Sequence, residues 1–179
     1  MKTLSYACIS LVAIALTFSS CSKKSSSNPT PSGTVSSMKL TVNGTDLNFN
    51  DCEETEFDTN NGFKNTVITG YMVTNGKPGD VKFVVYIVHD PATLKAGQTY
   101  VIEPSNVVTD NVIFFYWINS TDQFSSQSGN PHGSVTITAA TSTTISGTFS
   151  GKLFDPGDLG GINPLYTITN GSFTAKVIK

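Results

Sequence analysis

The sequence predicts an all-β fold, an antiparallel β-sandwich or, as the alternative, a partly closed lipocalin-like barrel. Three observations lead there. Charged residues make up only 13% of the 179 residues, about half the usual share, and Ser, Thr, Asn and Gly fill the gap. Short apolar or alternating runs recur between turn-forming residues, at the spacing of an all-β domain. No segment carries a 3.6-residue apolar stripe. The length allows one domain, or one domain and a tail.

The chain opens on an address. Lys2 is followed by an apolar core over residues 4–18, too short for a comfortable permanent span. Phe18-Ser19-Ser20-Cys21 comes next. Two small residues before a Cys resemble the lipobox of bacterial lipoproteins, although Phe18 stands where Leu is favoured. The resemblance implies a signal peptide over 1–20, diacylglycerol on Cys21 and cleavage before it. Residues 22–35 read SKKSSSNPTPSGTV, a polar Ser/Pro/Gly tether with nothing to bury. Several acyl chains on one residue anchor firmly, each buried CH₂ contributing about 0.8 kcal/mol. The expected organisation is therefore leader 1–20, lipidated Cys and tether 21–36, and one domain over 37–179. The opening CSKKSSS resembles lipoproteins of the Bacteroidetes group, whose surface-export signals favour acidic residues after the Cys. Lys23 and Lys24 tilt the expectation toward the periplasm-facing side of the envelope.

Within the domain, Asn43-Gly44 is a two-residue hairpin signal, since both positions need positive φ. A turn there pairs Val42 with Thr45, Leu40 with Leu47 and Met38 with Phe49, stacking apolar residues on one face. Strands are expected at 65–73, at 81–89 and 111–119 (both apolar on two faces, as in mid-sandwich), at 98–103, 134–140, 143–153 and 165–178. Residues 91–95 could form one helical turn. Asn170-Gly171 is either a second hairpin or a bulge in one long strand.

The C-terminal third reads GSVTITAATSTTISGTFSGKLF and then YTITNGSFTAKV. These strand and turn signatures, with the early VNG, resemble small Bacteroidetes lipoproteins built on an all-β domain of unknown function. The resemblance implies the fold and the anchor and brings no catalytic residue with it.

Chemistry is sparse. All eleven basic residues are Lys, so Arg-based readout of nucleic acid has no support. Cys52 is the one Cys expected in the mature domain; it stands among Asp51, Glu53, Glu54 and Glu56, which suits a buried apolar side chain better than a thiolate nucleophile. His89 and His132 are isolated in sequence. The acids at 51–58 are expected to form a solvated connection. Asp155 and Asp158, flanking Pro156-Gly157, are weak Ca²⁺ candidates, and no other metal or cofactor is expected. Phe114-Phe115-Tyr116-Trp117 must point alternately to opposite faces. Tyr116 and Trp117 are the candidate ligand-binding residues, on the idea that exposed aromatics on a β-sheet stack on sugar rings; the alternative places them in the core. The expected function is a non-catalytic binding or structural module of the cell envelope, held to the membrane through Cys21, with a glycan or envelope protein as partner. A carbohydrate-binding module and an envelope hydrolase are the rivals; the hydrolase requires a histidine meeting a carboxylate or Ser in a cleft.

Overall fold

The computed structural model describes residues 35–58, 62–90, 94–103, 110–126, 132–158 and 160–178. The leader, Cys21, the tether through residue 34, most of the possible helical turn at 91–95 and residues 129–131 lie outside the described residues.

The chain begins with the hairpin that its turn chemistry demands. Strands β1 (Ser37–Val42) and β2 (Thr45–Phe49) pair in the register Met38–Phe49, Leu40–Leu47, Val42–Thr45, with Asn43 and Gly44 at φ 47° and 84°. The same chemistry at Asn75-Gly76 (φ 53° and 74°) joins β4 (Lys64–Thr74) to β5 (Lys77–His89). That dipeptide extends the expected strand 81–89 back to Lys77. Between the hairpins lies β3 (Asp51–Asp58), paired along its whole length with β4. The acidic run is thus a strand and not the solvated connection expected for it. Asn50 marks the bend from β2 into β3: its side chain accepts from the Val73 N–H (2.7 Å) and donates to the Val73 carbonyl (3.0 Å), substituting for a ladder pair.

The remaining strands are β6 (Thr99–Val101), β7 (Asn111–Trp117), the short β8 (Gln123–Ser125), β9 (Gly133–Ala140), β10 (Thr144–Leu153) and β11 (Tyr166–Val177). Asn170, at φ 52°, lies inside β11. The register shifts there against both β1 and β10, so the second Asn-Gly is a bulge in one strand and not a hairpin.

The ladder runs β10-β9-β6-β7-β5-β4-β3-β11 and returns from β11 to β10, closing an eight-stranded barrel. One edge of β11 holds β10. The other holds β1 over Ile168–Thr174 and then β3, in parallel, at Lys176 and Val177. The expected β-sandwich is therefore replaced by its alternative, a barrel. The apolar character of 81–89 and 111–117 on both faces has a different source from two stacked sheets. β5 and β7 are neighbours in one wall, with Phe83, Val85, Ile87, Val112, Phe114 and Tyr116 turned inward, while a half-buried apolar row lies outside.

A cluster of aromatic rings occupies the interior. Phe83 stacks on Phe149 (centroids 5.2 Å apart), and Phe114 and Phe173 lie 5.5 and 6.3 Å from the same ring. Two reciprocal pairs across β10 and β11 make the room: Gly147 faces Phe173, and Gly171 faces Phe149. A Cβ on Gly147 would stand 2.6 Å from the Phe173 ring, and one on Gly171 would stand 2.6 Å from the Phe149 ring. Glycine is required by close approach at both positions.

Candidate functional site

Around this aromatic core, the barrel's ends and its outer wall present the candidate sites. At the end where β3 finishes and β4 begins, strand alternation turns Cys52, Glu54 and Glu56 of β3 and Thr66 of β4 to the inner side. A pocket of about 320 Å³ opens there. Leu94, Ile145, Val177 and Ile178 give it apolar walls, and Thr141 and Ser142 of the β9–β10 turn form part of its rim.

Glu54 lines this pocket although it is only 6% exposed. Its carboxylate makes no hydrogen bond or ion pair among the described residues; its backbone carbonyl accepts from Ile178 N–H. Burial, then the neighbouring Glu56, raises its pKa above the ordinary carboxylate value. Glu56 is ion-paired to Lys64. That pair engages the outer carboxylate of the two.

Beside the pocket, the fully buried Thr66 hydroxyl lies 3.0 Å from His89 Nε2. His89 Nδ1 faces the Asp90 carbonyl at 2.7 Å. A carbonyl only accepts, so Nδ1 bears the proton, and in that tautomer Nε2 accepts from Thr66. The Tyr100 ring packs 6.3 Å from His89; burial, then Asp110, pushes its hydroxyl up to about 12. Thr66, the partner of His89, is fully buried and lines the pocket, and the contact between them ties β4 to β5. His132 is exposed, and its carbonyl accepts from Lys152 N–H.

Cys52 is fully buried below Glu54. Its thiol is pushed up to about 12 by burial and by Asp51 and Glu53, an inert core sulfur.

The second surface is the outer wall. Lys82 on β5 pairs with Tyr71 on β4 and Trp117 on β7, and Trp117 with Gln123 on β8. Lys82 Nζ sits 4.5 Å from the centre of the Trp117 ring, a cation–π contact. Phe115 lies 5.7 Å from Trp117 on the same face. Val84, flanked by Thr69 and Phe115, continues the row, and Ser125 ends it. Tyr116 points the other way, into the barrel, edge-on to Tyr166. The candidate pair Tyr116 and Trp117 is therefore split between interior and wall, and the residues grouped with Trp117 are Phe115, Lys82 and Tyr71.

The Asp155 and Asp158 carboxylates are occupied by their own loop. Asp155 accepts from Gly157 N–H (2.8 Å), and Asp158 from Asn163 N–H (2.9 Å) and Ile162 N–H (3.4 Å). The Asn163 N–H leads in holding the Asp158 carboxyl below its ordinary value. Among the described residues no three His, Cys, Asp or Glu side chains gather as a metal site.

The chain matches no protein-family model, no curated protein and no solved structure.

Proposed function

We propose that this protein is an exported lipoprotein of the bacterial envelope, anchored through diacylglycerol on Cys21 and periplasm-facing. Its barrel is a non-catalytic binding module that engages a saccharide through the outer wall. The lipobox-like Phe18-Ser19-Ser20-Cys21 and the tether behind it support the anchor. The observation that carries the binding reading is the half-buried row of Tyr71, Lys82, Trp117 and Phe115 on one side of the wall. Flat aromatic faces supply apolar contact at small entropic cost. Gln123, Thr69 and Ser125 at the margins supply donors and acceptors for hydroxyl groups. The ring cluster inside the barrel makes it a rigid support for that face.

Two measurements test the two halves. Metabolic labelling with an alkyne fatty acid should tag the wild-type chain and leave Cys21→Ser untagged; equal labelling would remove the anchor from the reading. A glycan screen followed by Trp117 fluorescence titration should give a saturable emission shift that Trp117→Ala abolishes while the melting temperature holds. Absence of any glycan hit would transfer the outer wall to an envelope protein partner.

A further inference from the structure

We propose that the pocket at the barrel end is a binding site for a small organic ammonium ion, a primary amine carried on an apolar body, with the Glu54 carboxylate as its anchor. This site is separate from the outer wall and lies on different strands.

The argument begins with what a barrel end needs. Inward positions at the mouth need only shield the core, and a Leu or Val at position 54 would do so without cost. The chain instead places Glu54 there, a residue only 6% exposed whose carboxylate opens to the pocket and is unpartnered among the described residues. Removing a carboxylate from water without a partner is unfavourable, and a neighbouring carboxylate adds repulsion. Lys64 on the neighbouring strand is engaged by Glu56. A bound cation that donates to Glu54 would relieve both penalties at once.

The walls define the rest of the ligand. Leu94, Ile145, Val177 and Ile178 are apolar and line one space with Glu54, so the charge must come with a hydrocarbon portion. A metal ion is a poor occupant, because among the described residues no second and third ligand gather with Glu54 to complete a coordination shell. A volume near 320 Å³ is at the small end of ligand pockets. It suits an aralkyl or short alkyl amine and excludes a folded peptide segment.

The test is calorimetric titration of the full chain in detergent with 2-phenylethylammonium and n-butylammonium. The controls are 2-phenylethanol, which keeps the shape without the charge, and 3-phenylpropionate, which reverses it. A charge-assisted hydrogen bond in a partly dry site predicts saturable binding of 2-phenylethylammonium at least about tenfold tighter than of the alcohol, with the carboxylate not binding. Glu54→Gln, nearly isosteric, should bring ammonium and alcohol to equal affinity; the same micelles in both titrations cancel partition into detergent. Should Glu54→Gln fail to fold, Ser142→Trp at the exposed rim fills the mouth without touching a carboxylate and should abolish binding. Equal affinity for ammonium and alcohol in the wild type, ammonium binding unchanged by either variant, or no saturable ammonium binding would each overturn the proposal. Trp117→Ala should leave ammonium binding intact, so the two sites succeed or fail separately.

Discussion

Glu54 occupies an inner position of β3 where its neighbours in the same row are Cys52 below and the pocket above. Its pKa is raised by burial and by Glu56, so the folded state holds its proton to higher pH than the unfolded chain does. Between the ordinary carboxylate range and that raised value the native state binds more protons, and stability falls as pH rises through the window. Stability from this residue is therefore greatest on the acid side and lost toward neutrality, the reverse of a salt-bridged carboxylate. Glu54→Gln is expected to remove that dependence and to stabilise the unliganded protein near neutral pH by about 1 kcal/mol. Urea denaturation at about pH 4.5 and pH 7.5 would check it; a variant with the wild-type slope would show that another group carries the effect. Residues such as this are hard to read from sequence. A carboxylate inside a run of carboxylates looks solvated, and only the pairing partners reveal which of them turn inward. Trp117 was more legible: alternation required Phe115 to accompany it and Tyr116 to oppose it, although not which side was the interior. That same alternation already argued against Tyr116 and Trp117 sharing one surface.

At the level of strands and turns, local chemistry was informative wherever φ decided the outcome. Asn43-Gly44 fixed a hairpin and its register without reference to the rest of the chain. Asn75-Gly76 carries the same signal, yet Lys77-Pro78-Gly79-Asp80 after it has no apolar residue and hid the extension of β5. At Asn170-Gly171 the local signal could not choose between turn and bulge. The choice depends on Phe149, which needs the surface of Gly171 free of a side chain. The motifs around Gly147 and Gly171 thus have a physical meaning that strand propensity does not express: each glycine is the seat of a phenylalanine from the strand opposite. Gly147→Ala should cost about 2 kcal/mol by overpacking, because the methyl group meets the Phe173 ring and the Thr136 carbonyl, at 2.6 and 2.7 Å. Chemical denaturation would read this as a lower midpoint with an unchanged slope. A neutral result would mean that Phe173 can swing aside, and the ring cluster would then be less tightly fixed than its stacking distances imply. The acidic strand β3 was missed for a related reason: of its inner positions only Cys52 is apolar, so the alternation that identifies a half-buried strand was absent.

Across the whole molecule, the distinction between sandwich and barrel rests on which backbone edges meet, and backbone amides are common to every residue. The sequence could supply strands, faces and several turns. Whether β11 would return to β10 while also holding β1 and β3 was not encoded in any local pattern. Closure has a measurable signature in amide exchange. The ladder β9-β10-β11 is continuous on both sides and should exchange slowest, near the global unfolding limit, whereas β8 and the outer edge of β2 should exchange by local opening. Uniformly fast exchange in β11 would contradict the closed ladder. The same closure bears on the order in which the chain folds and, under the proposed export, on how it would reach the envelope. Asn43 holds Thr167 across 124 residues of sequence, and β1 and β3 both depend on β11 for an edge partner. Until that late strand has emerged, the early ones have nothing to complete them. If the chain is exported as proposed, it would therefore remain extensible while its front end threads a translocation pore, and lock into shape only after the closing strand had passed through.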